Sequence, residues 1–119
     1  MFGQITTIHD PYDVDALLLS PLILKANGWT PLHLAAARGD LPLATSLLDH
    51  GAHVDQLNGN RRTPLYEAAK RGQTAVVTLL LTRGANPNAR GKLGYTPLLT
   101  AAEEGHADTI AALLRHGAD

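Results

Sequence analysis

A chain of 119 residues has room for one compact core and no second domain. Its formal charge of −1 and pI near 6.6 exclude a global electrostatic attraction to nucleic acid or an anionic membrane. The absence of cysteine excludes a disulfide framework and a thiolate metal site and fits a reducing compartment.

Residues 1–9 read as a frayed or extended start. Asp10-Pro11-Tyr12-Asp13 then reads as a helix start, with Asp10 as cap and acids near the positive end of the helix dipole. Val14, Leu17 and Leu18 supply its apolar stripe, and Ser20-Pro21 breaks it. Residues 1–26 are therefore expected to form an N-terminal extension with a degenerate capping helix. The longest apolar run, Ala16 to Leu24, carries that break and falls short of the ~20 residues that span a bilayer. No signal-peptide pattern precedes it. The prediction is a soluble intracellular protein, cytoplasmic or nuclear, with no membrane association.

From Thr30 onward one phrase returns every 33 residues: Thr30-Pro31-Leu32, Thr63-Pro64-Leu65 and Thr96-Pro97-Leu98. An Ala pair, a glycine, a leucine pair and a Gly-Ala step follow each occurrence in register, ending at Gly51-Ala52, Gly84-Ala85 and Gly117-Ala118. Such a chain stacks small units, each burying its apolar face against its neighbours. The units are residues 27–59, 60–92 and 93–119, the last one truncated.

The middle unit shows the local physics. Thr63 can cap a helix through its hydroxyl, Pro64 suits the first helical position, and Leu65, Ala68 and Ala69 form an apolar stripe. Gly72 permits the left-handed backbone that ends this helix. A second helix carries Val76, Val77, Leu80 and Leu81 and stops at Gly84, after Arg83 has placed its charge at the negative dipole end. The stretch between Gly84 and Thr96, with Asn86, Pro87, Asn88, Gly91 and Gly94, predicts a projecting hairpin-like loop.

Over about Asn27 to Asp119 this pattern resembles the ankyrin repeat, whose motif runs Gly-x-Thr-Pro-Leu-His-x-Ala-Ala, Gly-His, Val-x-x-Leu-Leu, Gly-Ala. The first unit keeps the opening as Gly28-Trp29-Thr30-Pro31-Leu32-His33-Leu34-Ala35-Ala36. In the later units the histidine becomes Tyr66 and Leu99, which removes a His–Thr hydrogen bond of about 1 kcal/mol each. The turn glycine becomes Arg61 in the second unit, and Asn58-Gly59-Asn60 is expected to supply the turn instead. The resemblance implies an all-α solenoid of stacked helix-turn-helix units with projecting loops. It also implies that Asn88, with Leu80 eight residues earlier, is similar to the loop asparagines that are hydroxylated in this family.

Reactive constellations are few. Ser20 and Ser46 fall within helical or capping patterns, Gly91-Lys92 lacks the rest of a phosphate-binding loop, and no dinucleotide fingerprint occurs. His50 and His53 near Asp49 and Asp55 do not follow a zinc spacing, and Asp13 and Asp15 lack the further ligands of a calcium loop. The expectation is no catalysis, no cofactor, no metal and no small-molecule substrate.

Charge is concentrated in the second unit. Residues 60–92 hold Arg61, Arg62, Lys70, Arg71, Arg83, Arg90 and Lys92 against Glu67 alone, for +6; residues 1–26, 27–59 and 93–119 carry −2, −2 and −3. The ankyrin resemblance implies that loop positions and first-helix ends line a concave binding face. Here these are Trp29, Arg62 and Tyr95 before each Thr-Pro-Leu step, and Arg38, Lys70, Arg71, Glu103 and Glu104 before each glycine. Leu57, Asn58, Arg90 and Lys92 stand at the loop tips. Two aromatic anchors, Trp29 and Tyr95, around a basic centre suit an acidic or phosphorylated protein or peptide. A basic strip one unit wide with acids on both sides argues against nucleic acid.

The resulting expectation is a protein-binding module, monomeric or part of a longer chain. A regulatory or targeting segment of a larger enzyme, channel or effector is the alternative, and a structural spacer or oligomerisation element is a third reading. Arg62 stacked on Trp29 or Tyr95, and Lys70 and Arg71 paired with Glu103 and Glu104, would be the purely structural use of the same residues.

Overall fold

A computed structural model describes residues 27–119; the expected capping helix lies outside them. Six helices follow in chain order: α1 Pro31–Arg38, α2 Leu41–Asp49, α3 Pro64–Lys70, α4 Thr74–Thr82, α5 Pro97–Glu103 and α6 Ala107–Arg115. The described residues contain no strand, and none of their helices is long and apolar enough to cross a membrane.

Each Thr-Pro-Leu phrase starts a helix as its chemistry dictates. The hydroxyls of Thr30, Thr63 and Thr96 accept the backbone N–H of His33, Tyr66 and Leu99 at 3.2–3.3 Å, and proline occupies the first turn. The reciprocal bond, from the Thr30 N–H to the side chain of the residue three positions on, exists at His33 and disappears with Tyr66 and Leu99.

Stacking produces two rows. In one, α1 packs on α3 and α3 on α5; in the other, α2 packs on α4 and α4 on α6. Leu32, Leu65, Val76, Val77, Leu80 and Leu113 fill the space between, each contributing roughly 1.5–3 kcal/mol of burial. Ala35, Ala36, Ala68 and Ala69 are fully enclosed. Their small volume sets the approach of the first row, and extra methylenes there would cost about 1–3 kcal/mol.

Polar bonds repeat along the stack at the same interval. Gln73 Nε2 donates to the Ala37 carbonyl and His106 Nε2 to the Lys70 carbonyl, both at 3.0 Å. The position 33 residues before Gln73 is Asp40, which caps α2 by accepting the Leu43 N–H. On the other side, Asp55 accepts the Asn86 N–H and Asn88 the Asp119 N–H, tying each Gly-Ala loop to the next.

Two turn expectations need correction. Arg61 itself takes the left-handed backbone, φ 59°, in register with Gly28 at 69° and Gly94 at 78°; the three residues before it do not replace that conformation. Asn58, expected at an exposed loop tip, is buried. Its Oδ1 accepts the N–H of Asn60 and of Arg62, and its Nδ2 donates to Glu67 Oε2 at 2.9 Å. Short polar side chains stabilise turns by bonding backbone two to four residues ahead, so burying Asn58 organises the loop that Arg61 strains.

Candidate protein-binding face

The loops before α3 and α5, together with α3 and the end of α5, enclose an open concavity of ≈ 280 Å³. It is lined by Asn60, Arg62, Tyr66, Lys70, Gly91, Lys92, Leu93, Tyr95 and Glu103. The structure thus brings five of the sequence-predicted residues together: Arg62, Lys70, Lys92, Tyr95 and Glu103. Three cations face one carboxylate there, so the cleft keeps a positive balance.

The remaining predicted residues lie elsewhere. Arg38 and Arg90 are exposed outside the concavity. Arg71 pairs with Glu67 on its own helix, Nη1 to Oε1 at 3.2 Å. Lys70 does cross, placing Nζ 3.6 Å from Glu104 Oε2; both groups are partly exposed, which limits such a pair to under about 1 kcal/mol.

Trp29 is not an exposed anchor. It is only 7% accessible, its ring tilted against His33 with centroids 6.0 Å apart, so its contribution is to packing. For Arg62 the structure gives an aromatic contact of a kind not foreseen. Its guanidinium sits 4.8 Å from the centre of the Tyr66 ring, a cation–π contact that fixes its direction over the cleft. Arg83, expected at a helix end, forms a 2.7 Å pair with Asp49 across the second row.

Backbone atoms of Arg62 are clamped from both sides. Its N–H donates to Asn58 Oδ1, and its carbonyl accepts from the Asn58 N–H and from His33 Nε2 at 2.9 Å. Because His33 Nδ1 accepts the Thr30 N–H, the ring is held neutral with its proton on Nε2. Burial keeps its pKa below the ordinary imidazole value, against the carbonyl bonds that raise it. Burial also raises the pKa of Glu67, which is fully enclosed, against the Asn58 bond and the charges of Arg62, Arg71 and Lys70.

Sequence reasoning missed Tyr66, Asn60, Gly91 and Leu93 as cleft residues. Tyr66 had a signal, since it replaces the motif histidine beside Arg62. Leu93 had another, an apolar residue in a turn-forming stretch.

A scan against protein-family models matches ankyrin repeats (three copies) over residues 8–91 and again over 32–119. The chain belongs to the ankyrin-repeat family. Members are generally protein–protein interaction modules and typically lack catalytic activity. No curated protein matches this sequence significantly. The ankyrin assignment accounts for the two helical rows. It leaves the side chains on the loops to define the partner.

Proposed function

We propose that this ankyrin chain is a non-catalytic binding module that holds a protein or peptide with acidic character on the face built from its first helices and loops. The observation that carries this reading is the gathering of Arg62, Lys70 and Lys92 beside Tyr66 and Tyr95 in one open concavity. Cations mixed with aromatic side chains are what partner surfaces enrich, and preformed loops keep the ordering cost of binding low. Affinity capture from the native source with wild type beside Arg62→Glu/Lys92→Glu tests it. Partners retained by wild type should be lost by the variant and weakened by added salt. An unchanged set of partners would reject the face.

A second reading, a regulatory or targeting segment within a larger protein, is favoured by the outer face of α5. Leu99 is 52% exposed and Ala102 is exposed, whereas His33, Tyr66, Ala36 and Ala69 at the corresponding positions are buried by the following unit. Further chain stacked there would cover them. Sedimentation of the 119-residue chain and mass analysis of the native protein separate the two readings.

A further inference from the structure

The two junctions between units, aligned at the 33-residue interval, differ in one respect. At the first, Trp29, His33 and Ala37 are all buried, and the His33 ring closes the gap by bonding the Arg62 carbonyl. At the second, the same three positions hold Arg62, Tyr66 and Lys70 and line the concavity. Exchanging an indole for a guanidinium and a methyl for an ammonium turns a packed seam into an open, positively charged one.

We infer that this second junction is the docking cleft. It takes a partner segment carrying an Asp or Glu next to an apolar residue, the carboxylate meeting Arg62 and Lys92 and the apolar side chain resting on Leu93 and Tyr95. The inference rests on the reading that the concave face binds a partner, and it names the part of that face and the chemistry it selects.

Four features support it. Arg62, Lys70 and Lys92 outnumber Glu103, the one acid in the lining, so the cleft carries a net positive charge, with Lys92 exposed on its loop. The Arg62 backbone is fixed by its hydrogen bonds and its guanidinium rests on Tyr66, so less freedom remains to be lost on binding. The loop carrying Lys92 and Leu93 is closed by the Gly91 N–H donating to the Tyr95 carbonyl at 2.8 Å. It also lies so close to the second unit that a Cβ on Gly91 would be in contact with the Arg61 carbonyl and with Arg62 Cγ.

That closed turn displays Leu93 at 83% exposure beside Tyr95 at 38%, an apolar pair on a fixed support. Glu103 also lines the cleft. Its charge opposes a phosphate dianion and a second acid, so a single carboxylate with an apolar neighbour fits better than an acidic run.

The test selects peptides on the 119-residue chain from a random display library and titrates the winners against three proteins. These are wild type, Lys92→Glu/Leu93→Ser in the cleft, and Arg38→Glu/Arg90→Glu outside it. All four substituted residues are exposed, and a thermal melt checks that the variants fold. The inference expects winners with Asp or Glu beside a Leu, Ile, Met or aromatic residue. It expects about tenfold or greater loss on the cleft variant and little change on the outer one.

Acidic winners without an apolar neighbour, weakened as much by the outer variant as by the cleft variant, would overturn the cleft while leaving the wider face intact. Winners indifferent to both variants, or no winners at all, would overturn both readings.

Discussion

Replacing Arg61 by glycine should stabilise the protein, although it removes a side chain and adds none. Arg61 is the one non-glycine residue with positive φ among the described residues, at 59°, where the units before and after place Gly28 and Gly94. A side chain in that region costs about 1–2 kcal/mol, because Cβ crowds the following carbonyl oxygen. Glycine gives back about 0.4–1 kcal/mol through the greater freedom of the unfolded chain. The net expectation is a gain of about 0.5–1 kcal/mol, which for a domain of this size raises Tm by roughly 2–8 °C. Arg61→Ala and Arg61→Asn remove the same charge, and the side chain is exposed, so differences within the series report the backbone. Asn, which tolerates this region, should fall between Gly and Ala, with Ala close to wild type. Urea and thermal unfolding of the four proteins under one buffer give the comparison. Equal stability of the Gly and Ala variants would show that position 61 carries no strain and that the register argument is wrong.

Asn58→Ala should cost about 2–4 kcal/mol in urea unfolding, since it removes three bonds and leaves buried Glu67 without the Asn58 amide. His106→Ala should lose about 1 kcal/mol by cutting the bond to the Lys70 carbonyl, and a similar loss is expected for Gln73→Ala at the Ala37 carbonyl. A double-mutant cycle on Asp49 and Arg83 should return under about 1 kcal/mol and shrink with salt, because both ends of the 2.7 Å pair are exposed. Stability should respond to pH through two buried groups with opposite signs. His33, whose pKa is lowered in the fold, makes the protein less stable as pH falls below its ordinary 6.5, because the unfolded chain takes the proton first. Glu67, whose pKa is raised, makes it more stable as pH falls from its folded value toward the ordinary 4.5, because the native state takes the proton first. Unfolding across this range should show His33→Gln losing the first effect and Glu67→Gln the second; unchanged profiles would contradict the burial of the His33 ring and of the Glu67 carboxylate.

What could be read from the residues divides along a physical line. Thr30, Thr63 and Thr96 act on backbone three residues away, and Ala35/Ala36 and Ala68/Ala69 act through their own smallness, so their roles follow from local sequence. The cleft needed neighbours 30 or more residues apart. Lys92 and Tyr95 were identified because the motif register brings them beside Arg62 and Lys70. Trp29 was misjudged because its exposure depends on the ring of His33, which the motif places but whose packing it does not describe. Glu67 is the clearest case. In the sequence it is a lone acid among seven cations, a pattern that suggests a solvated face. In the fold it is enclosed, with one oxygen on Asn58 and the other on Arg71. Nothing in its spacing announces that burial, since the same helix position holds Leu34 in the first unit and Thr100 in the third.

The placement of that acid bears on how a unit of charge +6 remains compatible with binding. Seven cations on 33 residues repel one another, and each acid that neutralises one also removes it from a partner's reach. The fold spends its acids selectively: Glu67 draws Arg71 along its own helix, Asp49 draws Arg83 to the second row, and Glu104 takes Lys70 at the margin of the cleft. Two of these three pairs involve acids from the flanking units, so the negative charge of residues 27–59 and 93–119 works to relieve the middle unit. None of the three acids lines the concavity. The pairs therefore lower the repulsion that opposes stacking without placing any of these three acids in the lining of the cleft. Had Glu67 faced the cleft instead of the core, it would have released Asn58, loosening the backbone of Arg62. One buried carboxylate thus serves both the turn, through Asn58, and the charge balance of its own unit, through Arg71, and these bonds offset part of its desolvation.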